Sequence, residues 1–241
     1  MNQIPGYQEQ ATLQTAKWRR ETELKHKGCI LKVLNGKHCL VIGATGSGKT
    51  FWMAKVADEY LHRFIFVNPQ LEESVAKICQ VSYTEPEDLL EGIIDGKTAI
   101  EFVPDENDAA AIVQLEIIRR GLFDIAAEMQ IKAGTWWMNF ILDEAQSYLW
   151  KGSRNDGDNF ARRGRRFGIR SFFLTQRPQN ISSTVINNIQ YQVIFRTGTY
   201  ESPYFKTYRI PIDDHQAWLK ENYKYILYDG FEVQECEAIE E

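Results

Sequence analysis

The sequence predicts an α/β fold with a central, mostly parallel sheet flanked by helices, and three observations lead to this prediction. Short apolar runs of strand length alternate with stretches in which apolar residues recur at helical spacing. A glycine-rich loop, residues 43–50, separates the first apolar run from an amphipathic stretch. An acidic pair, Asp143–Glu144, closes a later apolar run. Parallel strands joined by helices gather the residues that follow each strand at one edge of the sheet.

The apolar runs predict six strands along the chain. They are HCLVI before the glycine loop, RFIFV, TAIEF, WMNFIL, GIRSFFLT and YQVIF. Residues 105–132 carry apolar positions at helical spacing and predict a long helix. Two alternating runs around Asp229–Gly230 predict a C-terminal β-hairpin.

These elements divide the chain into three parts. We predict an N-terminal helical extension over residues 1–35, of which 8–27 are polar and charged. The sheet and its helices then occupy 36–212. A helix, the hairpin and an acidic tail follow over 213–241.

Composition restricts the class of protein. The chain has 241 residues, enough for one α/β domain with modest extensions. No apolar run approaches the roughly 18 residues that a membrane-spanning helix needs, so a chain that does not span a membrane is expected. The polar N-terminus lacks the apolar stretch of a secretory signal, which predicts a cytoplasmic protein.

The four cysteines, Cys29, Cys39, Cys79 and Cys236, lie far apart in the sequence and form no CxxC pair. This spacing argues against a zinc site or a disulfide framework. The sequence therefore predicts buried thiols.

The charge is unevenly distributed. The formal net charge is −5, but the last 13 residues, DGFEVQECEAIEE, hold six acids and no lysine or arginine. Removing these six charges leaves a net charge of +1 on the rest of the chain. A polyanionic partner would therefore have to bind a local basic cluster, since there is no global positive field.

The glycine loop carries the first chemical signature. It satisfies G-x-x-x-x-G-K-[ST] between an apolar strand and a helix, the context in which this pattern binds nucleotide phosphates. Its backbone N–H groups turn onto the phosphates, and the helix N-terminus adds partial positive charge. The chemistry predicts that Lys49 reaches the β and γ phosphates of ATP and that the Thr50 hydroxyl binds Mg²⁺. The residues of the loop are Gly43, Ala44, Thr45, Gly46, Ser47, Gly48, Lys49 and Thr50.

Two later strand ends predict the rest of a hydrolytic site. Asp143 can hold Mg²⁺ directly or through water, and Glu144 beside it can polarise the attacking water. Gln176 ends the strand GIRSFFLT. Its amide can both donate to a phosphate oxygen and accept from water, so it can sense the γ-phosphate if this strand lies between the other two.

Four arginines lie within five residues in ARRGRRFG, residues 161–168. Two interpretations stay open: a basic surface turn, or an arginine finger that enters a neighbouring subunit's nucleotide site while other arginines face nucleic acid. Two interpretations also stay open for the polar loop 151–159. It is a surface loop, or it lines a ring pore in which Lys151 and Arg154 contact DNA phosphates.

Three segments, GATGSGKT, FILDEAQ and ARRGRRFGIRSFFLTQRPQNI, together resemble the HerA/FtsK superfamily of ring-forming, DNA-pumping ATPases. That superfamily includes genome-packaging ATPases of membrane-containing icosahedral viruses, chromosome translocases and conjugation ATPases. The resemblance spans roughly residues 36–200, and its most specific part is GR-x-x-GI followed by TQRP. It implies a RecA-like (ASCE) P-loop NTPase fold, a homo-oligomeric ring such as a hexamer or pentamer, ATP with Mg²⁺, and double-stranded DNA as the moved substrate.

The resemblance also implies roles for individual residues. Lys49 and Thr50 match the phosphate and metal residues, and Asp143 and Glu144 match the metal carboxylate and the base. Gln176 matches the sensor. The trans-acting arginine of the superfamily falls at Arg165, with Arg162 as the second choice.

The function implied is that of an ATP-driven double-stranded DNA translocase, in particular a viral genome-packaging motor in the host cytoplasm that docks on a capsid portal vertex or a membrane protein. The sequence contains no separate DNA-recognition domain, membrane anchor or inserted helical domain, so it resembles a bare motor core. A plasmid or conjugative DNA-transfer ATPase and a filamentous-phage assembly NTPase of the zonula-occludens-toxin type remain alternatives. A nucleotide-binding switch without motor activity is a further one.

Overall fold

One continuous sheet organises the chain. The structure is a computed structural model that describes residues 27–36, 38–132, 135–150, 158–198 and 202–239. Within these ranges nine strands form a single sheet in the order β3-β4-β2-β5-β6-β1-β7-β8-β9. Their bounds are β1 His38–Ile42, β2 Phe64–Val67, β3 Val81–Tyr83, β4 Ala99–Phe102, β5 Met138–Leu142, β6 Ile169–Thr175, β7 Ile189–Ile194, β8 Tyr225–Tyr228 and β9 Val233–Cys236.

The first seven strands pair in parallel, and β8 at one end of the sheet pairs antiparallel with both β7 and β9. The predicted hairpin therefore forms and continues the sheet through β7. The mostly parallel sheet with a C-terminal hairpin confirms the predicted fold class.

Helices cover both faces of the sheet. The described chain begins in helical residues 27–35 (α1). The other helices are α2 Lys49–Tyr60, α3 Glu73–Ala76, α4 Pro86–Ile94, α5 Asp108–Glu128, α6 Asp158–Arg163, α7 Ser183–Ile186, α8 Ser202–Thr207 and α9 Gln216–Leu219. None of the helices in the described ranges combines the length and apolar character needed to cross a bilayer. The remainder of the predicted N-terminal extension, residues 1–26, lies outside the described residues.

Two hydrophobic cores form because successive strand side chains point to opposite faces. In β1, Leu40 and Ile42 join the core beneath α4 to α9, whereas Cys39 and Val41 join the core beneath α1, α2 and α3. All five residues of β1 are buried, as expected for an interior strand of a parallel sheet covered on both sides. The result is a three-layer sandwich in which β1 contributes to both cores.

Strand β3 and helix α4 are among the elements that had no sequence prediction. The strand β3 has only three residues, and none of them is fully buried, so it lacks the apolar run that marks the other strands. Helix α4 follows it and starts at Pro86, where a missing N–H costs nothing because the first helical N–H groups have no partner in the helix. Its apolar residues Leu89 and Ile93 lie four apart and pack on α5.

The prediction of four separate thiols was wrong for one pair. Cys29 in α1 and Cys236 at the end of β9 form a disulfide across a sequence separation of 207 residues. No local spacing could have indicated it, because the fold brings the two ends of the described chain together. Cys39 remains a thiol, and burial raises its pKa to about 12.

Gly168 connects the arginine-rich turn to β6, and its geometry allows no side chain. Its φ is +68°, and an added Cβ would lie 2.4 Å from the backbone oxygen of Thr135. The left-handed conformation alone disfavours alanine by about 1–2 kcal/mol, and the backbone contact adds to this.

We expect Gly168→Ala to lower the free energy of unfolding by roughly 2–4 kcal/mol, because both the φ angle and the contact oppose a Cβ. Gly230→Ala is the matched control: its φ is +99°, but no atom lies within 4 Å of the added Cβ. It should lose only about 1 kcal/mol. Urea unfolding followed by circular dichroism measures both, and equal losses would contradict the role of the Thr135 contact.

Candidate active site

The glycine loop lies at the sheet edge where the parallel strands end. Gly43 N donates to Thr175 O of β6 at 3.2 Å, and Ala44 N donates to Arg196 O after β7 at 2.9 Å. The loop is therefore anchored to both neighbours of β1. Gly46 and Gly48 have φ of +70° and +91°, a conformation that glycine adopts without steric cost and that turns backbone N–H groups into the loop's concave side.

Lys49 is held under the loop. Its side chain is 6% exposed, and its Nζ donates to Ala44 O at 3.3 Å. Burial lowers the pKa of Lys49, and the nearby carboxylates of Asp143 and Glu144 oppose this shift. A partly desolvated ammonium at the start of a helix is well placed to bind phosphate oxygens.

Thr50 and Asp143, the two residues predicted to bind Mg²⁺, are in direct contact at this edge of the sheet. Thr50 Oγ1 donates to Asp143 Oδ2 at 2.7 Å, and Asp143 is 2% exposed. Burial raises the pKa of Asp143 to about 6, although the hydrogen bond from Thr50 lowers it. A hydroxyl and a carboxylate are the hard oxygen donors that Mg²⁺ prefers, and Mg²⁺ commonly takes only one or two protein ligands beside phosphates and water. These two residues therefore fit the predicted metal.

Glu144 lies next to Asp143 in a backbone conformation that is uncommon for a non-glycine residue, with φ of +49°. Its N–H donates to Asp143 Oδ1 at 2.8 Å, and its carbonyl accepts from Ser147 N at 2.9 Å. The strand therefore ends in a tight turn that points two successive carboxylates into the same cleft. Strained backbone of this kind often occurs at functional sites.

A hydrogen-bonded chain links the glycine loop to Glu144. Thr45 Oγ1 donates to Gln176 Oε1 at 2.6 Å, and Gln176 Nε2 donates to Glu144 Oε1 at 2.6 Å. Gln146 Nε2 donates to the other carboxylate oxygen of Glu144, and Gln146 Oε1 accepts from Thr175 Oγ1 at 2.6 Å. Two amides thus orient the carboxylate, and one of them also contacts the phosphate loop.

A cleft of about 420 Å³ lies over these groups. The glycine loop, Asp143, Glu144 and Gln176 line one part of it, and Gln70 with residues 72–74 lines another. Asn68 holds this second wall in place. Its side chain accepts from Glu72 N at 3.0 Å and donates to Glu101 Oε1 at 2.7 Å.

The arginines are not brought to this site. Arg162, Arg163, Arg165 and Arg166 are exposed, and they lie before β6, at the opposite edge of the sheet from the glycine loop. Seven strand residues separate this edge from Gln176, a distance of about 20 Å. That exceeds the reach of an arginine side chain. Arg165 and Arg162 therefore cannot contact a nucleotide held by their own chain.

Arg170 differs from the other four. It is 5% exposed and donates to Asn139 Oδ1 at 2.8 and 2.7 Å and to Leu34 O. It therefore braces β5 and the end of α1 inside the chain. Lys151 and Arg154, for which a position in a ring pore is one of two predictions, lie outside the described residues.

The fold and the site together define a P-loop ATPase with a RecA-like sheet. The phosphate loop follows β1, and the acidic pair follows β5, two positions away in the sheet. Strand β6 lies between them, and Gln176 directly follows it. This is the strand order on which the predicted role of Gln176 depends.

Comparisons with known proteins agree with this class. The family profile described as "Type III restriction enzyme, res subunit" matches residues 3–115, slightly less than half of the chain. No curated protein matches the chain in sequence.

Several solved structures share the fold. The DNA-packaging ATPase B204 from Sulfolobus turreted icosahedral virus superposes with a TM-score of 0.63 at 20% identity, covering 85% of this chain and 98% of that one. The genome packaging NTPase B204 from Sulfolobus turreted icosahedral virus 2, solved with AMPPCP, has a TM-score of 0.60 at 14% identity and covers 85% and 99%. VirB4 of Thermoanaerobacter pseudethanolicus has a TM-score of 0.59 at 7% identity and covers 85% and 90%.

Sequence reasoning missed two groups at the site. Gln146 is part of the quoted FILDEAQ, and its position two residues after Glu144 was the available signal. Asn68 follows β2 directly, so its place at the sheet edge was also open to prediction.

We expect Asp143→Asn to stabilise the nucleotide-free protein at pH 7.5 by roughly 1–3 kcal/mol. The folded-state pKa of about 6 lies above the ordinary value of 3.8, so folding favours the neutral carboxyl. The parent accordingly loses stability as the pH rises through this interval, whereas asparagine stays neutral. Its single amide oxygen can accept from Thr50 or from Glu144 N but not from both, and this loss offsets part of the gain.

Urea unfolding in EDTA at several pH values measures the difference, which should shrink as the pH falls below 6 and be lost below the ordinary pKa of 3.8. The exposed Asp124→Asn serves as the control and should change stability by less than about 0.5 kcal/mol. If Asp143→Asn is instead less stable at pH 7.5, interactions in the folded protein stabilise the Asp143 charge by more than its burial costs.

Proposed function

We propose that this chain is an ATP-driven double-stranded DNA translocase that works as a homo-oligomeric ring, and more specifically a viral genome-packaging motor. The observation that carries the proposal is the separation of the exposed arginines from their own chain's cleft by the length of β6. If one of these four arginines completes such a site, the site is that of a neighbouring subunit.

The proposed chemistry needs no covalent enzyme intermediate. Backbone N–H groups of the loop and Lys49 offset the charge of the phosphates. Glu144 accepts a proton from the attacking water, and Gln176 reports the γ-phosphate through its contact with Thr45. Mg²⁺ held between Thr50, Asp143 and the phosphates would supply further charge neutralisation.

The arginine turn supports assembly into a ring. Four exposed guanidiniums within residues 162–166 form a dense local positive charge on a chain whose net charge is −5. Arginine favours bidentate contact with phosphate, so such a turn suits a γ-phosphate, a DNA backbone, or both on different side chains. We assign Arg165 to the neighbour's nucleotide, with Arg162 as the alternative.

The packaging role rests on two further supports. The motifs over residues 36–200 resemble the HerA/FtsK superfamily, and the chain covers 98–99% of the B204 packaging ATPases named above. Identity to these proteins is 14–20%, against 7% for VirB4. A packaging motor would act in the host cytoplasm, and its partner would be a portal vertex or a membrane protein of the capsid.

The central test is ATP turnover with and without double-stranded DNA. We expect stimulation by DNA at low salt that falls as salt is raised, because contacts to DNA phosphates release counterions. Sizing in the presence of AMPPCP should detect a ring. Glu144→Gln is the matched variant: it should retain ATP and lose turnover by at least about a hundredfold. Turnover that no DNA concentration alters would favour a nucleotide switch without motor activity.

A subunit-mixing experiment tests the trans-acting arginine. Arg165→Ala should bind ATP yet lose hydrolysis by about a thousandfold or more, the magnitude typical of arginine fingers. Lys49→Ala should be inactive in its own cleft. Mixed rings of the two variants should regain part of the activity, because some interfaces then pair an intact loop with an intact arginine.

The control mixes Lys49→Ala with Glu144→Gln. Both residues act in the cleft of their own chain, so no interface in this mixture is complete and no activity should return. If the Arg165→Ala mixture also stays inactive in rings shown to contain both subunits, Arg165 is not the trans residue, and the same mixture with Arg162→Ala decides the alternative.

A further inference from the structure

The nucleotide cleft extends beyond the phosphate loop to a side of the sheet that carries none of the predicted catalytic residues. The acidic pair and Gln176 follow β5 and β6, on one side of β1. On the other side of β1 lie β7 and β8, and the cleft ends there at Tyr223 and Ile239. A triphosphate whose γ end points to Glu144 must direct its opposite end, which carries the sugar and base, toward this side.

Tyr223 is held at the end of the cleft in an uncommon conformation. Its φ is +60°, although aromatic residues rarely adopt the left-handed region, and its side chain remains 56% exposed. The ring lies against the glycine loop: a Cβ added at Gly48 would be 2.7 Å from Tyr223 Cδ1. An exposed aromatic ring in strained backbone, placed against a phosphate loop, indicates a contact with a ligand.

The surrounding residues fix this turn. Two residues further on, Tyr225 is buried and packs edge to face with Trp52 of α2, with ring centroids 5.5 Å apart. The preceding α9 contributes Trp218, whose Nε1 donates to Tyr225 O at 3.1 Å. The position of Tyr223 is therefore set by the same helix that begins at the phosphate loop.

The C-terminal segment closes this side of the cleft. Lys224 forms ion pairs with Glu221 at 2.7 Å and with Glu237 at 3.3 Å. The second pair brings residues 237–239 beside the tyrosine turn, so that Ile239 and Tyr223 both line the cleft. One aromatic face and one aliphatic side chain at the end of a polar, phosphate-binding cleft match the chemistry of a nucleotide base.

We propose that Tyr223 is the base-binding residue of this ATPase and stacks on the aromatic base of the nucleoside triphosphate, with Ile239 beside it. The inference deepens the proposed function, since it requires that the cleft take a nucleoside triphosphate, but it does not require DNA movement. Stacking on an aromatic side chain accepts any base through its π face. Tyr223 therefore strengthens nucleotide binding, and it does not by itself choose between adenine and guanine.

The test compares two ligands that differ in the base. The full chain is titrated calorimetrically with AMPPCP and with inorganic tripolyphosphate, both with Mg²⁺ and without DNA. Tyr223→Ala should weaken AMPPCP binding by about 5- to 100-fold, the usual effect of removing one aromatic stack. Binding of tripolyphosphate should change by less than about twofold, because that ligand has no base to lose.

Two further variants complete the design. Tyr223→Phe keeps the ring and should bind AMPPCP nearly as the parent does. Phe231→Ala removes an aromatic side chain that is 95% exposed at the tip of the β8–β9 hairpin and lines no part of the cleft, so neither ligand should be affected.

Three outcomes would overturn the assignment. Equal weakening of AMPPCP and tripolyphosphate would mean that Tyr223 only supports the glycine loop. Unchanged binding of both ligands would mean that it has no role in binding. A parent protein that binds tripolyphosphate but not AMPPCP would overturn the proposed function together with this inference, whereas loss of DNA stimulation alone would leave the inference intact.

Discussion

The parallel pairing of β1 with β6 on one side and β7 on the other is the constraint on which the nucleotide site depends. Because all three strands end at the same edge, the loop after β1 donates backbone hydrogen bonds to carbonyl groups at the ends of both neighbours. The carboxylates after β5 and the amide after β6 reach the loop from one side, and the turn before β8 reaches it from the other. The strand order thereby gives the cleft a direction, with hydrolytic groups at one end and an aromatic ring at the other.

Two residues in left-handed backbone conformation lie at the two ends of this cleft. Glu144 has φ of +49° and Tyr223 has φ of +60°, and neither is a glycine. Each such conformation costs of the order of 1 kcal/mol or more and persists only where the surrounding structure determines it. Hydrogen bonds from Gln146 and Gln176 orient Glu144, and the packing of Tyr225 on Trp52 determines the turn at Tyr223. Two of the five non-glycine residues with positive φ among the described residues therefore line this cleft.

Much of the fold could be predicted from the sequence because most of its strands are buried on both faces and read as apolar runs. The short strand β3 could not, since its residues are only partly buried. The pairing of Thr50 with Asp143 was also accessible, because both follow recognisable motifs at strand ends. The contact between Gly48 and Tyr223 was not, because 175 residues separate them and nothing in the turn 220–224 resembles a motif. Arg170 lies close to the four arginines in the sequence, yet it is buried within β6, and its proximity in sequence gave no sign of this difference.

The disulfide between Cys29 and Cys236 gives the chain an unusual connectivity. It joins α1 to the last strand and encloses nearly all of the described residues in one covalent loop. A single cut in any exposed segment between these cysteines would open the loop without releasing a fragment, so the two pieces would separate only after reduction. The Cα atoms of the two cysteines are 6.5 Å apart, which also places the entry and exit of the domain side by side. A circularly permuted chain with new termini in a surface loop is therefore compatible with this architecture.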